Sequence, residues 1–111
     1  NLDLVTFNFN YHDTVWLGVD RAKMNRAVFN ALKSGGVYIV ADHSGRPGTG
    51  ANETKTLHRI EESVVRKEVE AAGFKFVAEG GFLRNPADPR DAPVFKPMVP
   101  NDEFVLRFVK P

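Results

Sequence analysis

Two couples of histidine and aspartate are the residues best suited to chemistry in this chain: His12-Asp13 and Asp42-His43. With His58 they account for all 3 histidines. Histidine titrates near neutrality and can take a proton from a hydroxyl or amine that is about to react. His12 and His43 are therefore the candidate bases. A bland reading competes, since a His-Asp pair at a strand end often marks only a turn with a local hydrogen bond. His12, Asp13, Asp42, His43 and His58 also offer nitrogen and oxygen ligands of the type zinc or manganese takes. No H-x-x-x-H or similar spacing joins them, so no metal site is assigned. Ser44 beside His43 lacks the G-x-S-x-G frame of a nucleophile elbow. The chain has 0 cysteines, which excludes disulfides, thiolate zinc sites and a cysteine nucleophile. Their absence fits a reducing compartment, so a cytoplasmic location is favoured.

The elements that must hold these residues follow from periodicity. Residues 2–9 mix β-branched and aromatic side chains, with alternation at Val5, Phe7 and Phe9, and predict a strand that ends at Asn10. Residues 10–13 then read as a turn. Asp20 can cap a helix over residues 20–33, with Met24, Val28, Ala31 and Leu32 on one face and Gly35-Gly36 as its stop. Residues 37–41 are a continuous apolar run, the pattern of a strand buried on both faces. A second helix is predicted over residues 54–72, with Leu57, Ile60, Val64 and Val69 inward, Glu62 paired to Arg66, and Gly73 at its end. Residues 74–79 and 103–109 are further strands. The five prolines between residues 85 and 101 predict a long loop.

The order β-α-β-α-β-loop-β makes the first three strands parallel, with right-handed crossovers. The final strand, reached without a helix, can pair antiparallel with its predecessor and form a mixed edge. This is an α/β domain of 111 residues, one domain at most. Net charge is +1 and no basic run exceeds Arg66-Lys67, so a nucleic-acid partner is not expected. No run approaches the length of a membrane span. The chain opens inside a strand, and the expectation is a fragment of a longer protein. Its only Gly-rich loop carries Gly45, Gly48 and Gly50 as G-x-x-G-x-G, the wrong spacing for a dinucleotide fingerprint, and reads as a flexible connector.

These residues resemble a known family. Ala31-Leu32-Lys33-Ser34-Gly35-Gly36 before Val37-Tyr38-Ile39-Val40 is similar to the "LKPGG" signature that precedes the fifth strand of class I S-adenosylmethionine-dependent methyltransferases, with Ser34 where Pro is commoner. Leu2-Asp3-Leu4-Val5 and the following loop resemble that fold's fourth strand. Glu68 to Phe74 resembles the "LxxAGF" helix end before its sixth, and the closing strand matches its seventh. Asp42-His43, Leu57-His58-Arg59-Ile60-Glu61 and Leu83-Arg84-Asn85-Pro86 resemble more narrowly a bacterial group of predicted methyltransferases of unassigned substrate.

The resemblance implies a partial Rossmann-like sheet, β-α-β-α-β-β, that forms the C-terminal half of a methyltransferase domain. The glycine-rich strand-turn-helix that normally holds the cofactor has no counterpart among these residues. S-adenosylmethionine is the implied cofactor, not expected to bind this piece tightly, and the piece alone is expected to be inactive. Asn8, Phe9 and Asn10 would edge the cofactor. Tyr11, Trp16, Asp42 and His58 would contact a small organic acceptor, with His12 or His43 as base. The implied partner is the missing N-terminal half. The alternatives are a non-catalytic module that dimerises through its exposed first strand, since an uncovered edge is a pairing template, and a small independent α/β binding protein.

Overall fold

The computed structural model describes residues 1–111. Seven elements follow in order: β1 (Leu2–Asn8), α1 (Tyr11–Trp16), α2 (Arg21–Ala31), β2 (Leu32–His43), α3 (Glu62–Ala71), β3 (Lys75–Gly80) and β4 (Glu103–Val109). They build one mixed α/β sheet in the order β1-β2-β4-β3. β1 runs parallel to β2, and β4 runs antiparallel to both β2 and β3. The last strand thus pairs with its predecessor as expected. It lies inside the sheet and not at a mixed edge, because β2 and β3 leave a slot between them that only a strand entering from the opposite end fills. β1 and β3 are the edges.

Alternation along the strands sets the core. Tyr38, Val40, Phe104, Leu106 and Phe108 point to one face and are buried under Val65 and Val69 of α3. Each of those valines contributes about 1.5–3 kcal/mol by leaving water. Met24, Val28 and Phe29 of α2 pack against the same cluster. A network of polar side chains crosses it: Tyr11 Oη donates to Glu68 Oε1 (2.8 Å), Asn25 Nδ2 donates to Tyr11 Oη (2.9 Å), and Arg21 clamps Glu68 with two nitrogens (2.7 and 2.8 Å). The opposite face of the sheet, with Leu4, Thr6, Ile39 and Val105, carries no helix of this chain. Leu4 there is 54% exposed. No helix is long and apolar enough to cross a membrane.

Several elements differ from their sequence-based prediction. Residues 11–16 form α1, so the turn expected over residues 10–13 is instead the start of a helix. Asp20 caps α2 through Lys23 N–H (3.0 Å), but the helix stops at Ala31, because Leu32 is already extended and begins β2. Gly35 and Gly36 therefore do not stop a helix. They make an irregularity in β2, with Gly35 at φ +81°, a conformation that suits glycine. A Cβ on Gly36 would meet Lys33 O at 2.8 Å and Leu2 O at 3.2 Å. Gly73 does follow the end of α3, at φ +110°, and its missing Cβ makes room for the Phe29 ring. Residues 82–83, just after β3, form a turn.

The predicted helix over residues 54–72 is formed only from Glu62 onward. Arg59 is the cause. Its side chain is fully buried, bonded to Asp88 (3.0 Å), Ser44 O (3.1 Å), Ala92 O (3.0 Å) and Asn101 (2.9 Å). Ile60 N–H is taken by His43 O (3.0 Å). A continuous helix could not satisfy these partners. Glu62 turns to Arg84 (2.7 Å), and Arg66 pairs with Glu70 (3.2 Å) in place of Glu62. The proline-rich loop is irregular but pinned: Arg84 and Arg90 both hold Asp102, whose own N–H donates to Asp88 (2.7 Å). The glycine loop is pinned as well, because Glu61 accepts from Gly48 N–H (3.1 Å) and Gly50 N–H (2.8 Å). Its amides already hold a carboxylate.

Candidate functional site at the strand ends

Ligands in open α/β sheets bind beyond the carboxyl ends of the parallel strands. Here Asn8 and Ala41 are register partners, so the ends of β1 and β2 are neighbours. Phe9 follows β1 with a left-handed backbone (φ +63°), and its N–H donates to Ala41 O at 2.7 Å. That turn feeds α1 and sets His12 and Asp13 over the end of β2.

Asp42 joins the two couples. It is wholly buried, and its carboxylate accepts from His12 N–H (2.7 Å), from His12 Nδ1 (2.7 Å) and from His43 N–H (2.7 Å). An Nδ1 proton donated to Asp42 turns Nε2 of His12 toward the mouth of the site. That nitrogen faces Asp13 Oδ1 at 3.2 Å. His58 stands across from it, with Nδ1 3.8 Å from the same oxygen and its ring edge-on to His12 at 5.4 Å. His58 has a left-handed backbone (φ +58°), and its buried Nδ1 has no hydrogen-bond partner. Strained backbone outside glycine gathers at functional sites.

His43 lies 5.6 Å from His12 between ring centroids and stacks on Phe9 at 5.2 Å. Its Nδ1 approaches Glu103 Oε2 at 2.6 Å. Burial is the largest influence on this imidazole and holds its pKa below the usual value, while the Asp42 and Glu103 charges pull it partly back.

The structure gathers His12, His43, His58 and Trp16 at one mouth. Trp16 is 40% exposed and donates Nε1–H to Asp13 Oδ1 (2.9 Å). Asp42 stands behind the histidines with no exposed surface, as an orienting group. Asn8 and Phe9 line a shallow apolar cavity of about 240 Å³ with Thr6, Ile39 and Leu83, on the open face of the sheet. Asn10 sits at the entry to α1, its amide nitrogen directed at Asp13 Oδ2 (3.3 Å). Tyr11 is not with the others. Its side chain lies inside the helix layer, where burial pushes the phenol pKa far up, and its hydroxyl is committed to Glu68 and Asn25. Glu103 and Phe95 join the site without a sequence signal of their own. Glu103 is the register partner of His43, and Phe95 meets the His58 ring at 4.9 Å. A larger cavity, about 320 Å³, lies between α2 and α3 around Val19, Arg21 and Glu68. It holds none of these groups, and its arginine is already neutralised.

No family model and no curated relative matches the chain. Solved structures do. The chain superposes on one from the Haloferax volcanii complex of the Trm112 methyltransferase activator with a protein described as a methyltransferase, with TM-score 0.64, 16% identity, 100% of this chain and 55% of that one. It also superposes on an S-adenosylmethionine-dependent methyltransferase from Mesorhizobium loti, with TM-score 0.57, 14% identity, 98% of this chain and 62% of that one. The chain therefore shares the fold of part of these two methyltransferase structures, and it spans little more than half of either.

Proposed function

We infer that the chain is the C-terminal half of an S-adenosylmethionine-dependent methyltransferase that acts on a small acceptor. The observation that carries this reading is the superposition of essentially the whole chain on about half of two methyltransferase folds. The helix-free sheet face supports it, because a doubly wound sheet is covered on both sides.

When bound, S-adenosylmethionine supplies an electrophilic methyl group. The residues present fit one wall of such a cofactor. Asn8 and Phe9 lie at the carboxyl end of β1, where such a cofactor would meet this half, and none of the residues around them in the adjoining apolar cavity is a carboxylate that could hold a ribose. The rest of the site falls to the missing half. Asn10 closes the same edge. Methyl transfer needs an aligned acceptor more than it needs side-chain chemistry. Trp16 and His58 wall the acceptor, and a histidine removes its proton. His43 is suited to that step, since it is half-buried and held by Glu103, and His12 is oriented by Asp42. A second reading, association of two copies through β1, has its own support in the exposed edge residues Leu2 (51%) and Leu4 (54%).

Calorimetry with S-adenosylmethionine tests the reading on two proteins: the 111-residue chain and the same chain extended by its upstream coding sequence. Heat is expected only for the extended form. Tight binding by the short chain, or silence from both, would overturn the assignment. Sedimentation of the short chain at micromolar concentration separates the second reading, which requires a dimer.

A further inference from the structure

The geometry points to a divalent transition-metal site made by His12 Nε2, Asp13 Oδ1 and His58 Nδ1. These atoms all lie within 4.8 Å of one another, with individual separations of 3.2 Å and 3.8 Å to the shared carboxylate oxygen. Ligands at about 2.0–2.2 Å from a tetrahedral zinc stand about 3.3–3.6 Å apart, so the His12–Asp13 pair already matches and the His58 ring moves inward around an ion. Two imidazoles and one carboxylate are a ligand set used where a metal keeps an open position for water or substrate.

Three further observations converge on the same point. The His58 ring nitrogen is buried yet unpaired, and a buried polar atom without a partner calls for one. His58 is held there by a left-handed backbone, fixed by the buried Arg59 next to it. Asp42, buried behind His12, accepts from Nδ1 and presents Nε2, as outer carboxylates do for metal-bound histidines. Trp16 Nε1–H can stay on Asp13 Oδ1 while that oxygen's other lone pair binds the ion. Asp13 and His58 are partly exposed, 29% and 23% at the side chain, which leaves an entry path and an open coordination position at the mouth.

The ion would sit beside His43, where it could hold and polarise an acceptor oxygen or nitrogen. That last role rests on the proposed methyl transfer, whereas binding of the ion does not.

The test uses tag-free chain and zinc chloride alone, with no S-adenosylmethionine, so methyl transfer does not enter the result. The chain has only 3 histidines, which confines imidazole ligation to His12, His43 and His58. Calorimetry at neutral pH is expected to show one zinc per chain. His58→Ala should weaken binding at least about tenfold, Asp42→Asn about ten- to a hundredfold through the outer shell, and His43→Gln little. Cobalt(II) on the unmutated chain should show the intense visible bands of a tetrahedral site, a readout that survives if a variant fails to fold. Absence of stoichiometric zinc, cobalt spectra of a six-coordinate aquo ion, or binding indifferent to His58→Ala would overturn the site. His12 would then be a ring clamped between two carboxylates.

Discussion

Two polar clusters lie a few residues apart and are built on opposite terms. The arginine–carboxylate cluster of Arg59, Arg84, Arg90, Asp88 and Asp102 pairs each of its charges with another charge. The histidine cluster leaves the His58 ring nitrogen without a partner and opens to solvent at Trp16, while left-handed backbone occurs in both clusters, at Phe9 and His58 in this one and at Arg90 in the other. Both contain buried charge-bearing groups, so burial alone does not separate structure from function. Pairing of the ionisable groups does: a network whose charges are all matched specifies a fold, while one that leaves an imidazole nitrogen without a partner is a place for a ligand.

Substitution should expose the contrast. The largest effect is expected at the completed cluster. Arg59→Ala leaves Asp88 buried without its charge partner and should cost about 3–5 kcal/mol, read by urea unfolding. A loss below about 1 kcal/mol would mean that the cluster is not holding the loop.

Acid should act on the same cluster next. Burial is the largest influence on Asp88 and Asp102 and would raise both pKa values. For Asp88, the N–H groups of Asp102 and Arg90 and the Arg59 side chain outweigh it. For Asp102, Ser44, the Asn85 N–H, Arg84 and Arg90 do so. Both carboxyls therefore titrate below their ordinary value of 3.8. The unfolded chain then binds more protons in that window, so the stabilisation is full above pH 3.8 and is lost as pH falls through the lower, folded values. Thermal unfolding followed from neutral to acid pH should show a fall confined to that range, and a flat profile would contradict it.

The smallest effect is expected at the histidines. His58→Gly removes a side chain from a left-handed position that glycine adopts freely, so stability should change by less than about 1 kcal/mol. Zinc or acceptor binding should fall sharply in the same protein. A large loss of stability would place His58 with the arginines and erase the contrast.

Local pattern was legible wherever neighbours in the chain decide the structure. β4 follows from its alternation over residues 103–109, and α2 from its apolar face and the Asp20 cap. The end of α3 follows from Gly73. The His-Asp couples could be placed at neighbouring strand ends because parallel strands put them there. Residues 54–61 failed as a helix because long-range partners claimed them: Asp88 for Arg59 and His43 O for Ile60. Tyr11 looked like a site residue from its position beside His12. The helical turn of α1 carries it to the core instead, since adjacent residues on a helix point about 100° apart.

Periodicity and composition over short windows were enough to place the order and type of most elements, the α/β class, and the residues that carry titratable groups near neutrality. Assembly of distant segments puts β4 between β2 and β3, Asp42 behind both His12 and His43, and His58 against Asp13. Separation explains this: His12 and Asp42 are 30 positions apart, and no local energy term acts over that span. Such contacts exist only once the sheet has brought the strand ends side by side.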